Sequence, residues 1–260
     1  MSEELHPRAD ELNAMSALDL VVLMHEEDAS AVRALEPQLE NIARAVDLIA
    51  ERLRAGGHMH YFGAGTSGLI AALDAFECPA TFGVGVDVVR AHAVTEPGEE
   101  DDRELGVRMA RDAAVQNGDV AVGISASGGT AFVLGALTQA AEEGATCIAI
   151  SCRPESQLGR LADIAIEVDT GPEVIAGSTR LKAGTVQKLV LNMLSTGVFT
   201  RLGRTHRGRM VGVVPANAKL RERAARIISD LTGVSIEEAR RRLQDAGGDV
   251  AAALAAERRA

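Results

Sequence analysis

Two stretches of the same design set the terms for the whole chain: Met59 to Glu77, MHYFGAGTSGLIAALDAFE, and Val120 to Thr130, VAVGISASGGT. In each, a short apolar run breaks into glycines and hydroxyl residues, and an Ala- and Leu-rich helical pattern follows. Such a run is a buried parallel strand ending in a tight turn that opens a helix. The first amides of that helix, with the positive end of its dipole, form a site for an anion. Gly63, Gly65, Gly68, Gly128 and Gly129 let backbone come close to a ligand, and Thr66, Ser67, Ser125, Ser127 and Thr130 add hydroxyl donors. Either loop alone reads equally well as an ordinary turn with N-capping hydroxyls. Two of them imply one phosphorylated small molecule held between strand ends. The glycines at 63, 65 and 68 do not complete a dinucleotide fingerprint, and no glycine-rich loop ends in Gly-Lys-Ser or Gly-Lys-Thr, so nucleotide motifs are excluded.

With 47% apolar residues, the 260-residue chain has enough for a substantial core. It has no Trp, one Tyr and five Phe, so packing rests on Ala, Val, Leu and Ile, and few rings remain for stacking bases. The net charge of −10 argues against general nucleic-acid binding and against an anionic membrane surface. An anionic substrate must therefore be caught locally. Cys78, Cys147 and Cys152 match no zinc or redox spacing, and Cys147 and Cys152, in or beside a predicted buried strand, read as reduced core thiols. His25, His58, His60, His92 and His206 give no ligand pair on one helix face, so no metal site is expected; His58 and His60 share a strand face, placed here near its surface end. The polar N-terminus shows no signal peptide and no run reaches the roughly 18 apolar residues of a membrane span, which predicts a cytoplasmic protein.

Residues 1–14 read as a polar arm, followed by a helix over 17–28 capped by Ser16, with the acidic run at 25–28 as its solvated end. A longer helix over 30–55, interrupted by Pro37, ends at Gly56-Gly57. The pattern then predicts strands over 58–62, 81–84, 119–125, 145–151 and 164–168, and helices over 68–75, 99–114, 130–142 and 156–162. This alternation implies an α/β three-layer sandwich, a mostly parallel sheet flanked by helices, with ligands at the carboxyl ends of the strands. After Gly171 a long helix is expected, capped near Ser178 or Thr179, with Arg180, Lys182 and Lys188 in its early turns; each reads first as a structural cation, and Lys182 or Arg180 alternatively as added charge for an anionic pocket. The expected division is an N-terminal helical arm packing on the core over 1–55, a phosphosugar-binding domain over 56–214, and a small C-terminal helical domain over 215–260.

GAGTSG followed by LDAFECPATFG, then GISASGGT, then GSTRLKAGTVQKLVLNMLSTG, resemble the N-acetylmuramic acid 6-phosphate etherase family, within the sugar isomerase domain superfamily. MSALDLVVLMHEED resembles the family's N-terminal helix, so the resemblance covers nearly the whole chain. It implies cleavage of the D-lactyl ether of N-acetylmuramic acid 6-phosphate by elimination and water addition, without cofactor, in peptidoglycan recycling. It also implies a homodimer. Glu77 in ECPATFG matches the family's acid for the departing lactate oxygen, and Glu96 in AVTEPGEED matches the base for the C2 proton. Glu77 follows an apolar helix, and its partial desolvation is expected to keep it protonated. Thr66, Ser67, Ser125, Ser127 and Thr130 match the residues that hold the sugar phosphate, with Gly65, Gly128, Ser178 and Lys182 completing the pocket. The chain departs from the family pattern at Leu69 and Gly129, where arginine is usual, and in a shortened segment before Glu96. An aldose-ketose isomerase shares the proton abstraction beside a carbonyl, and a non-catalytic sugar-phosphate sensor shares the fold; both stay open at the level of sequence.

Overall fold

The structure, a computed structural model, describes residues 4–213, 215 and 217–255. Residues 1–3 of the expected arm, 214 and 216 at the expected junction, and 256–260 of the expected C-terminal unit lie outside it.

Five strands, β1 (Met59–Ala64), β2 (Val89–Val94), β3 (Val120–Ser125), β4 (Thr146–Ser151) and β5 (Ile164–Glu167), make one parallel sheet in the order β2-β1-β3-β4-β5. Adjacent residues Tyr61 and Phe62 are both fully buried on opposite faces, as a period of two demands in a sheet covered on both sides. One face packs on α2 (Leu39–Arg54), α3 (Gly65–Phe82) and α7 (Lys182–Arg201), through Ile49, Val190, Leu194 and Phe199, with α1 (Ala17–Arg33) packed on α7. The other packs on α4 (Arg103–Asp112), α5 (Ala131–Glu142) and α6 (Gln157–Leu161), through Ala110, Phe132, Leu137 and Leu158. The expected three-layer α/β architecture is therefore present. A hairpin, β6 (Thr205–His206) and β7 (Arg209–Met210), leads to α8 (Ala218–Thr232), α9 (Ile236–Asp245) and α10 (Val250–Ala255), which share their own core around Ala224, Ile228, Leu243 and Val250. This unit leaves the sheet where Gly212 meets Gly83: a methyl group on Gly83 would lie 1.9 Å from the Gly212 carbonyl oxygen.

Several expected elements move. The strand placed at 81–84 is the end of α3, which runs through Pro79. Proline removes one helix hydrogen bond, but Phe82 stacks on Phe199 at 4.6 Å and Gly83, at φ 64°, closes the helix on the Pro79 carbonyl. The second strand lies instead at 89–94, an edge strand paired only with β1, whose Arg90 and His92 disguise it among polar residues. Ser30 does not start a second helix; its hydroxyl donates to the Glu27 carbonyl inside a continuous α1, and Pro37 makes the break in a short 3-10 turn. The acidic run is not wholly solvated either, because Glu27 is partly buried against Lys182. Asp102 caps α4 by accepting the Leu105 amide at 2.9 Å, so that helix starts at 103 and ends at 112.

Candidate functional site

The strand order reverses between β1 and β3, and it is there that a ligand crevice opens in a sheet of this kind. Both hydroxyl loops stand at that point. Gly63 pairs with Ile124, so GAGTSG and SASGGT leave neighbouring strands side by side and face the same edge. In the first loop, a methyl group on Gly68 would lie 2.5 Å from the Gly63 carbonyl oxygen and 2.9 Å from the Ala93 side chain, so α3 packs on β1 and β2 by backbone. Ser67 is buried and Thr66 half-buried, with Thr66 facing the first turn of α7 across Gly184.

In the second loop the hydroxyls form a chain. Ser125 Oγ lies 2.7 Å from Thr130 Oγ1 and 3.3 Å from Ser127 Oγ, and accepts the Gly128 amide at 3.0 Å. Gly128, at φ 65°, turns the backbone so tightly against Ser156 that a methyl group would meet its Cβ at 2.3 Å. Ser127 is exposed at the loop's tip.

Helix capping sets these two loops apart from most other helix starts, α2 being a further helix without a side-chain cap. Side chains of Ser16, Asp102, Ser156, Asn217 and Ser235 cap α1, α4, α6, α8 and α9. No side chain caps α3 or α5, so their first-turn amides remain available to an anion. The N-terminus of α7 is closed differently: it begins at Lys182, not at Ser178 or Thr179, and the buried Glu173 carboxylate accepts the Lys182 and Ala183 amides at 2.9 and 3.0 Å. Ser178 sits in the preceding turn, its amide bonded to Ile175. Lys182 is buried and its ammonium pairs with Glu27 at 2.5 Å, with His6 on the other carboxylate oxygen at 3.4 Å. Burial pushes the Glu27 carboxyl up, but Lys182 and His6 together hold it below its usual value.

A cleft of about 150 Å³ adjoins the second loop, lined by Ser127, Cys152, Arg153, Glu173, Thr179 and Ala183 among others. Arg153 lies just past the end of β4 and is exposed there. The sequence reading missed it, although its position beyond a strand that runs beside β3 was the available signal. Burial pushes the Cys152 thiol up to about 12, and Glu173 adds to the shift, so it stands as a neutral wall. Cys78 and Cys147 are free and buried.

Glu96 stands two residues past Val94, which pairs with Ala64, so it leaves the same edge beside the first loop. It is exposed, with its amide bonded to Glu99. Glu77 is not desolvated as expected. Its side chain is 57% exposed, with Lys188 Nζ at 3.6 Å. Sequence reasoning also missed what lies beneath it: buried Asp74 accepts hydrogen bonds from Tyr61 and Ser195, both at 3.0 Å.

At the opposite end of the strands, His60 is buried rather than near the surface, 3.1 Å from His92. Among the described residues, no group of three or more His, Cys, Asp or Glu is placed to hold a metal ion, and no helix is long and apolar enough to cross a membrane.

Comparison with known proteins adds the following. Residues 24–152 match the model of the SIS domain. The phosphoheptose isomerase of Neisseria gonorrhoeae superposes with a TM-score of 0.55 at 21% identity, covering 71% of this chain and 100% of that one, a likeness of fold. N-acetylmuramic acid 6-phosphate etherase 2 of Bacillus licheniformis is 45% identical over 97% of this chain and 88% of its own length. N-acetylmuramic acid 6-phosphate etherase of Symbiobacterium thermophilum is 48% identical over 95% of this chain and 84% of its own. With identity of that order across nearly its full length, the chain belongs to the N-acetylmuramic acid 6-phosphate etherase family.

Proposed function

We infer that the chain is a carbon-oxygen lyase that converts N-acetylmuramic acid 6-phosphate to N-acetylglucosamine 6-phosphate and D-lactate, in the recycling of cell-wall sugars. The observation that carries this reading is the pair of hydroxyl loops on neighbouring strands, each opening onto a helix whose first amides no side chain occupies. Membership of the family names the phosphosugar.

The phosphate is assigned to Thr66, Ser67, Ser125, Ser127 and Thr130 with the amides of α3 and α5. In the open-chain sugar, Glu96 takes the C2 proton reversibly, the electron pair resting on the aldehyde oxygen as an enolate, and that pair then forms the C2–C3 double bond. The C3–O pair leaves on the lactyl oxygen, which takes a proton from Glu77. Water then adds its oxygen to C3, gives one proton to the Glu77 carboxylate, and C2 recovers a proton from Glu96. Side-chain proton transfers are the whole of this chemistry, and no cofactor is called for.

Glu77 lies eleven residues along α3 from Thr66, about 16 Å at 1.5 Å per residue, a greater span than a hexose phosphate. A Glu77 that acts as the acid therefore serves the site of a second copy. The α3 face that bears it supports such a homodimer: Leu69, Leu73 and Phe76 are 58%, 47% and 82% exposed at spacings of four and three. Leu69, where the family usually has arginine, is part of that apolar stripe. A cytoplasmic location fits both the free thiols and a phosphorylated substrate.

The test is incubation with N-acetylmuramic acid 6-phosphate in water enriched in heavy oxygen. Release of D-lactate together with one heavy oxygen at C3 is expected. Product without the label, or a ketose product with no lactate, overturns the reading.

A further inference from the structure

Beneath the exposed Glu77 carboxylate lies a polar group that the reaction as written does not use. Asp74, 3% exposed, accepts Tyr61 Oη–H and Ser195 Oγ–H, each at 3.0 Å. Burial pushes its carboxyl up, against the lowering influence of those two donors and Lys188. Lys188, on α7, brings its ammonium 3.9 Å from Asp74 Oδ1 and 3.6 Å from Glu77 Oε2. The titratable groups facing it are Asp74, Glu77 and Cys78 from α3, with Tyr61 of β1 behind Asp74. The Cys78 thiol is bonded to the Asp74 carbonyl and pushed up to about 12 by burial, with the two carboxylates adding to the effect, so it carries no charge.

A carboxylate with two neutral donors is already hydrogen-bonded, so Asp74 does not need a lysine to satisfy it. What Asp74 does is hold one end of a long, flexible cation whose other side meets Glu77. The lysine side chain is 29% exposed and Asp74 is buried, so the anchored side is covered and the Glu77 side opens at the rim. α3 and α7 pack directly, which fixes the distance between the two carboxylates and the cation that spans them.

We propose that Lys188, anchored by Asp74, is the positioning residue of Glu77: it aims the carboxyl and offsets the charge left when the proton passes to the departing lactyl oxygen. This rests on the reading of Glu77 as the proton donor. Only the acid side of the reaction depends on it, because Glu96 takes the C2 proton from another element.

The experiment uses the full chain with N-acetylmuramic acid 6-phosphate in heavy water and the variants Lys188→Met, Lys188→Arg and Glu77→Gln. Lactate release and entry of deuterium at C2 of unreacted substrate are followed together. In Lys188→Met, kcat for lactate release is expected to fall about tenfold with KM unchanged, while C2 exchange continues; Lys188→Arg recovers most of the loss. A purely structural role lowers release and exchange together, and that result overturns the proposal, as does unchanged release. Wild-type lactate release in Glu77→Gln overturns the reading of Glu77 itself. Loss of release in Glu77→Gln with none in Lys188→Met overturns the role of Lys188 alone.

Discussion

Glu173 closes the N-terminus of α7 by taking the amide of Lys182 on one carboxylate oxygen and that of Ala183 on the other. An anion arriving at this edge of the sheet therefore finds α7 occupied from within and α3 and α5 open. Glu173→Ala leaves two buried amides without an acceptor and is expected to cost about 2–4 kcal/mol in urea unfolding. Glu173→Gln, which keeps one good acceptor, is expected to cost roughly half as much.

Ser127 is the exposed hydroxyl of the second loop, whereas Ser125 is buried and already holds the Gly128 amide. Removing each has a different consequence. Ser127→Ala is expected to raise KM for the phosphosugar about tenfold with little effect on the melting temperature, while Ser125→Ala lowers stability by about 1–2 kcal/mol as well as affinity. Arg153→Met, which takes the cation from the cleft beside Ser127, is expected to raise KM and to weaken its dependence on salt. Steady-state kinetics at two ionic strengths, with a thermal melt of each variant, check all three.

If Glu77 serves a neighbouring copy, two inactive chains repair one another. Glu77→Gln and the double variant Ser127→Ala, Thr130→Ala are each expected to lose at least 100-fold in lactate release. Mixed and reassembled, they form hybrids in which one site combines intact loops with an intact acid, and activity returns to a substantial fraction of wild type. Phe76→Glu, placed in the apolar stripe, is expected to give monomers on analytical ultracentrifugation and to abolish release. An active monomer, or no recovery on mixing, shows that each chain works alone.

The histidine pair predicts a sensitivity to acid. Burial, with the neighbouring His92 adding to it and Asp119 opposing it, pushes His60 down to about 4; Arg90 and His58 act in the same sense as His92. Burial and Arg90 push His92 to about 4. An unfolded imidazole titrates near 6.5, so both rings are neutral in the fold at a pH where the unfolded chain binds protons. Their contribution is present in full above pH 6.5 and is lost as pH falls from 6.5 to 4, on the order of 2 kcal/mol for the pair after allowing for solvent screening. His92→Gln is expected to flatten this part of a melting-temperature profile, since it removes one of the two titrating rings beside Phe62.

The sheet and the hydroxyl loops were legible because their determinants are local. An apolar run that breaks into Gly63 and Gly65, or into Ser125 and Gly128, carries its strand, its turn and the start of its helix within a dozen residues. What the sequence hid is set by distant partners. Pro79 argued for a helix end, but the contact of Phe82 with Phe199 carries α3 onward, and the polar strand at 89–94 is held by pairing with β1 and by the packing of α3. The sequence left Lys182 open between a structural cation and a pocket charge because its partner Glu27 lies 155 positions away, and the exposure of Glu77 depends on how α3 meets α7. Ser178 and Thr179 stand close to the start of α7, yet the acceptor for its first amides is Glu173, nine positions before Lys182.

The touch of Gly63 and Gly68 through main-chain atoms gives the enzyme a fixed anchorage that owes nothing to side-chain identity. Around such an anchorage the side chain that follows Gly68, here Leu69, does not decide where the turn sits.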